Sequence, residues 1–433
     1  GRLLESLSPL GGRTVYTRTV DGSVQTATDP RGNTTEYRYD LFQRMDRIIY
    51  PDTSEAAFTY TTRFEPDRSV SRSGATVDYS YDSGDRITRV DYSDGSYEVY
   101  GYDTAGAIVN YELPGGLVTS YRYDARRNID RVTHPGNITE NLIYDSSDRL
   151  IRRLDANDEV WSYEYWPDNS LRATIDPDGE RVEYGFDGDP RRLLTSVTRG
   201  SETHSMIYDN LGRLANTTDP LERVLVGSRD ARGFLTGTTL LPDGIDRQYD
   251  RNALGQVVSY TNPLGGTIVN DYGDDGRLDR RTNPLNEVTT IDRDSLNRVS
   301  LVTHPDGATM SMSYAPSGVI GSISGSDSTF VEFQTTPEGR LVGATNLELG
   351  YSPVDYRLES SNGIRIQYNN EDRPWRITVA DGKVIEYEYN WRGDVIAVRD
   401  WLGGETTITP TRHGQRDDIR YANGLLVDYA YDD

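Results

Sequence analysis

The sequence predicts an all-β protein made of tandem β-hairpins, each unit about 21 residues long. Three observations lead there. Tyrosine returns at a fixed interval, the run before each return alternates with period two, and two turn signals separate the runs. Tyr39, Tyr60, Tyr81, Tyr102, Tyr123, Tyr144 and Tyr165 follow one another at steps of 21, and Phe186 continues the series. A step of 22 reaches Tyr208, and Tyr272, Tyr314, Tyr368, Tyr389 and Tyr431 are later members. Arg229-Asp230 and Arg293-Asp294 read as weaker copies. About twenty units fill residues 1–433 without a linker or a change of composition, so the chain reads as one continuous array.

Each unit begins with a strand such as TEYRYD (35–40), VDYSYD (77–82) or TSYRYD (119–124). In such a strand the two tyrosines, at i and i+2, share one face. The aspartate after the second tyrosine opens a turn, because its side chain can accept the backbone amides ahead of it. Asp40, Asp82, Asp103, Asp124, Asp145, Asp209 and Asp432 hold that position. The fourth residue beyond the tyrosine is mostly Gly, Asp or Asn: Asp85, Gly106, Asp148, Asn169, Gly212, Gly233, Gly276, Asn297, Gly339 and Gly393. These types tolerate the positive φ that a bulged hairpin turn needs.

An arginine often follows, as in Arg44, Arg86, Arg149, Arg213, Arg277, Arg298, Arg340 and Arg373. It is expected to pair with the nearby motif aspartate along the ribbon. The outgoing strand, for example RLIRRLD (149–155), ends in a second turn such as DPRG (29–32), DPDG (176–179) or HPDG (304–307). Proline presets φ at one corner of this turn and glycine supplies positive φ near the other. The tyrosines are read as an aromatic ladder between hairpins, with about 0.2–1 kcal/mol per cross-strand pair.

Composition narrows the function classes. The chain has 69 acidic and 46 basic residues, a formal net charge of −23. That balance argues against nucleic acid as a partner and against an anionic membrane surface. With no cysteine, disulfides and thiolate chemistry are excluded. No apolar run is long enough for a membrane-spanning helix. His134 and His304 stand in turn corners that Asp29, Asp176 and Asp219 fill elsewhere, and read as turn variants. His204 and His413 have no ligand-type neighbours at metal spacing. The carboxylates are periodic and belong to the repeat before they belong to acid–base chemistry. The reading is therefore no enzyme, no cofactor and no metal site. Asn33, Asn137 and Asn216 head N-x-T glycosylation sequons.

The pattern Y-D-x-x-G-R-[LI], then D-P-x-G, then T-x-Y-x-Y-D resembles the YD-repeat, or Rhs-repeat, family. YDNLGRLANTTDPLERV (208–224), with Tyr208, Asp209, Gly212 and Arg213, carries it, and so does TEYRYD beside the DPRG turn. The family includes bacterial Rhs proteins, the B and C components of insecticidal Tc toxin complexes, wall-associated proteins and teneurins. The resemblance implies an antiparallel ribbon spiralling into a hollow shell or tube, secreted or at the cell surface. In toxin members such a shell encloses a toxic C-terminal domain, so a toxin cargo from the remainder of its own chain is one expected partner. Self-association into a tube or filament is a second expectation, and adhesion to a glycan or cell-surface receptor a third.

The array starts inside one motif, at Gly1-Arg2-Leu3, and stops inside another, at Tyr431-Asp432. That is expected of an internal segment of a longer chain. Some 40 strands at about 4.8 Å each would make a single ring of roughly 30 Å radius. The irregular tract 315–366 is where a bend, seam or loop contact is expected.

Overall fold

The computed structural model describes residues 2–114, 116–155, 159–188, 190–352, 357–369, 373–390, 393–410 and 415–430. Among them are 42 strands, from Glu5–Leu7 to Leu426–Asp428, and one 3₁₀ turn at Pro135–Asn137. Every strand pairs antiparallel with the next along the chain, as in Arg13–Arg18 with Val24–Thr28, so the topology is a meander throughout.

One unit illustrates the register. Thr34–Tyr39 pairs with Met45–Ile49 through Tyr37↔Ile48, Arg38↔Arg47 and Tyr39↔Met45. The shift at Arg38/Tyr39 leaves Asp46 as an extra residue, which is a β-bulge. Met45–Ile49 then pairs with Glu55–Tyr60 through Ile48↔Ala56 and Arg47↔Ala57. Tyr37, Ile48 and Ala56 therefore share one face while Arg38 and Arg47 share the other. The same division continues, with Tyr79↔Val90 and Tyr100↔Tyr111 on the apolar face. The polar face carries ion pairs such as Arg47–Glu55 at 2.9 Å and Arg181–Glu164 at 2.8 Å. Exposed pairs of this kind stabilise by about 0–1 kcal/mol each.

Among the described residues, no second layer covers the sheet. Accessible surface is 25626 Å², against about 17,000 Å² for a compact monomer of this mass. Only Ala56, Val90, Ala173, Ala397 and Ile419 are buried apolar residues among those described. Apolar side chains are instead half-covered by their neighbours along the ribbon.

The ribbon closes on itself, and here the structure corrects the single-ring expectation. Ser8 Oγ lies 3.2 Å from the Asp274 carbonyl, and Asn297 Nδ2 lies 2.6 Å from Asp29 Oδ2, across separations of 266 and 268 residues. Arg340 reaches Asp94 at 3.0 Å across 246 residues. One winding thus takes about 24 strands, a radius of roughly 18 Å at normal strand spacing. The 42 strands thus make about one and three-quarter windings, so the radius is smaller than a single ring would have. Within residues 315–366, Pro337, Glu338 and Arg340 touch the first winding. The strands Leu341–Ala344 and Leu358–Ser361 there have only four residues each.

Candidate functional site: the repeat motif and the seam between windings

The motif tyrosines end their strands. Tyr39, Tyr81, Tyr102, Tyr123, Tyr144, Tyr208 and Tyr389 are each the last residue of one. Tyr431 and Asp432 lie outside the described residues. In the turn that follows, Oδ1 of the motif aspartate accepts the amides two and four residues on. For Asp40, Asp82, Asp103, Asp124, Asp145 and Asp209 these bonds are 2.8–3.1 Å long. Oδ2 holds the arginine: Arg44, Arg86 and Arg149 sit 2.6 Å from Asp40, Asp82 and Asp145, and Arg213 sits 2.7 Å from Asp209. The Arg149 guanidinium, against the upward push of burial, keeps the Asp145 carboxyl below its ordinary range.

The same arginines also lie over the ring of the next repeat. Arg44 is 4.5 Å from the Tyr60 centroid, Arg86 4.6 Å from Tyr102 and Arg149 5.0 Å from Tyr165. This cation–π link between repeats was not legible as an ion pair in the sequence. Three arginines of the sequence pattern depart from it, among them Arg373, which has Asn369 in the aspartate's place and donates to the Asn390 carbonyl at 3.0 Å. Arg277 pairs with Asp275, because Gly273 stands where the motif aspartate would be. Arg340, with Thr336 in that place, reaches across to Asp94.

All ten Gly, Asp and Asn residues expected to have positive φ do so, Gly212 at +78° and Asp85 at +60° among them. Gln43, Phe64 and Arg127 adopt the same conformation without the residue type that favours it. Gly212→Ala is expected to cost about 1 kcal/mol, since a Cβ is strained in the left-handed region. Local hydrogen exchange over 205–218 would measure it; exchange equal to wild type would contradict the turn assignment.

The tyrosine hydroxyl has a role that aromatic stacking does not describe. Tyr39 donates to the Val24 carbonyl (2.8 Å), Tyr81 to Pro66 (2.7 Å), Tyr102 to Ile87 (2.7 Å), Tyr123 to Ile108 (2.8 Å) and Tyr165 to Leu150 (2.8 Å). Each acceptor lies 15 residues back, beside the bulge of the preceding hairpin, where ladder pairing is interrupted. Where arginine replaces the tyrosine, the guanidinium finds the equivalent carbonyl. Arg18 donates to Leu3 (2.7 Å), Arg229 to Leu214 (3.0 Å), Arg251 to Leu235 (2.6 Å) and Arg293 to Leu278 (3.0 Å). The position selects a long side chain ending in a donor. Tyr165→Phe is therefore expected to lose about 1 kcal/mol, and Tyr165→Arg to lose less. Thermal melting of the three proteins checks the order; equal midpoints for Tyr and Phe would refute it.

The expected aromatic ladder is corrected to a mixed row: the first tyrosine of the motif mostly faces an aliphatic residue, Tyr37 opposite Ile48, Tyr79 opposite Val90 and Tyr121 opposite Val132, and ring meets ring in two tyrosine pairs among the described residues. Tyr100 and Tyr111 have ring centroids 5.3 Å apart, and Tyr249 and Tyr260 5.4 Å apart. Burial and Glu98 push the Tyr92 hydroxyl up to about 12 and raise Tyr100 as well.

The seam joins two different rims of the ribbon. Proline-type turns of the first winding, near residues 8, 29, 73 and 94, meet aspartate-type turns of the second, near 274, 297, 337 and 340. Arg31 lies between two carboxylates, bonded to Asp275 and 2.7 Å from Asp279. Asn33 Nδ2 contacts Asn297 Oδ1 at 3.1 Å, so the sequon at Asn33 is engaged in the seam. A cleft of about 370 Å³ opens beside it, lined by Asp29, Asn33, Tyr50, Arg72 and Arg298 among others. Among the described residues, no group of three or more His, Asp or Glu is placed to hold a metal ion.

Residues 19–166 match the teneurin YD-shell family. A Burkholderia cenocepacia protein, double-stranded DNA deaminase toxin A, is 25% identical over 157 residues, covering 34% of this chain and 11% of that protein. Among solved structures, the Photorhabdus luminescens Tc holotoxin pore with the TccC3 D651A mutation superposes with a TM-score of 0.68 at 11% identity. It covers 94% of this chain and 28% of that one. The TcdB2–TccC3–Cdc42 structure gives 0.67 at 12% identity, covering 96% of this chain and 30% of that one. The chain thus spans less than a third of the length of each of these proteins. At such identities the structural likeness speaks for the fold.

Proposed function

We propose that this chain, a YD/Rhs-repeat protein by its motif and its fold, is a non-catalytic wall segment of a secreted or cell-surface shell, enclosing a toxin or effector polypeptide. The observation that carries the proposal is the seam. A single-layer sheet that returns on itself and is bonded rim to rim makes a continuous wall with an inside. The excess surface, with no packed core beneath it, supports the same reading. Both solved structures of similar fold contain TccC3 by their own description, one of them as part of a Tc holotoxin, which supports a toxin-related shell.

Protease protection of the full-length native protein tests the proposal. A polypeptide that survives digestion while the wall is intact, and is degraded once the wall is unfolded, is the expected result. If every segment outside the repeats is cleaved under native conditions, this segment does not enclose a cargo.

A further inference from the structure

One face of the ribbon carries a charge without a counter-charge. Across the five strands from Thr76–Tyr81 to Leu117–Tyr123, the apolar face holds Tyr79, Tyr92, Tyr100, Tyr111 and Tyr121 among aliphatic and threonine side chains. Glu98 is the one charged residue in register on that face, because it stands opposite Val90, which stands opposite Tyr79. The repeat does not call for it. Two residues before the first motif aromatic, other units carry Ala56, Val77, Thr119 and Val182. Glu140 fills the same place in its own unit, but His134 Nε2 lies 3.1 Å from it.

Glu98 is half-buried and makes no ion pair among the described residues. Tyrosine hydroxyls hold its oxygens instead: Tyr92 donates to Oε1 at 3.2 Å, and Tyr100 donates to Oε2. Burial, with Glu98 beside it, pushes the Tyr92 hydroxyl up to about 12, so it stays a protonated donor at neutral pH. Each carboxylate oxygen therefore has one hydroxyl bond and a lone pair to spare. A cation stabilises such a group, and the faces of the surrounding rings attract the same charge. The chain is short of ammonium groups. Its formal net charge is −23, and Lys383, its one lysine, lies 5.9 Å from the Trp401 ring.

We propose that Glu98, framed by Tyr92, Tyr100 and Tyr111, receives the ammonium group of a lysine side chain from an extended polypeptide lying across this face. A guanidinium fork seeks both oxygens of a carboxylate in one plane, whereas a compact ammonium needs a single lone pair. The tyrosines from Tyr92 to Tyr121 are spread over four strands, about 15 Å, which an extended peptide of four or five residues spans. The lysine stem lies along the rings while its charged end meets Glu98. The acidic surplus of the chain draws a basic segment toward it. The site lies within one winding, and it does not depend on whether the wall holds a cargo.

Fluorescence anisotropy tests this, with the full chain titrated against a dye-labelled, end-capped pentapeptide Gly-Ala-Lys-Ala-Gly. Saturable binding is expected, at least tenfold tighter than for the same peptide with norleucine, which keeps the stem and lacks the charge. Glu98→Gln is expected to weaken binding of the lysine peptide at least fivefold with unchanged circular dichroism. Glu112→Gln, which removes the same charge from the opposite face where Tyr97 donates to it at 3.3 Å, is expected to bind like wild type. A norleucine peptide that binds as well as the lysine peptide would overturn the proposal. So would a lysine peptide that does not bind, or a Glu98→Gln variant that binds like wild type. Free n-butylammonium that competes as strongly as the peptide would overturn the polypeptide as occupant. The lysine–norleucine comparison needs no variant, so it decides even where a substitution disturbs the strand. Protection of a cargo in the protease experiment is read separately and is unaffected by any of these outcomes.

Discussion

Gly12→Ala is expected to part the two windings. A Cβ built on Gly12 would lie 2.1 Å from the Asp274 carbonyl oxygen and 2.8 Å from its carbon. Both are backbone atoms of the other winding and cannot rotate away. One rim would have to move by more than an ångström, breaking the adjacent Ser8–Asp274 bond. Overpacking of this kind costs about 1–3 kcal/mol, here concentrated at one end of the seam. Hydrogen exchange at 8–14 and 273–278 would report it together with a lower melting temperature. Gly188→Ala, with nothing within 4 Å of its Cβ, is the control. If both variants behave like wild type, the close approach of the windings at Gly12 is wrong.

The second large effect is acid sensitivity of the seam at Arg31. Burial raises the Asp275 carboxyl, but the Arg31 guanidinium, with bonds from Arg277, outweighs it and holds the group at about 2. Its side chain is only 5% exposed. A carboxyl whose folded value lies below its ordinary one stabilises the fold above the ordinary value. That contribution is lost as the pH falls through the folded value. The window is therefore from about pH 4 down to about pH 2, and the loss is about 2 kcal/mol. Asp29 shifts in the same direction, because bonds from Asn297 and Asn33 exceed the effect of burial. Arg31→Ala is expected to lower neutral-pH stability by about 2 kcal/mol and to flatten the acid limb of the stability curve. An acid limb as steep as that of wild type in the Arg31→Ala variant would show that the seam does not rest on this pair.

Much of the repeat was legible in the residues themselves. Tyr-x-Tyr-Asp and the Gly/Asp/Asn slot act within a few residues of where they stand, and local sterics and hydrogen bonding are complete within one hairpin. That is why the positive-φ positions and the aspartate–arginine pairs could be read without a structure. The hydroxyl bond from each motif tyrosine was less visible, although Arg229 and Arg293 stand in tyrosine positions. An aromatic and a guanidinium share no packing chemistry, but both end in a donor, and that exchange was the signal.

The hairpin, its bulged turn, its two faces and its repetition all follow from the residues alone. How tightly the ribbon winds, and so which rims meet, emerges in the folded chain. The turn taken by each hairpin is a small angle set by twist and side-chain crowding, and it has consequence only after about 24 strands have accumulated it. The seam residues carry no periodic mark for the same reason. Ser8, Arg31 and Asp94 find partners 244–266 residues away, and a short polar side chain at a turn tip looks the same whether it faces water or the next winding.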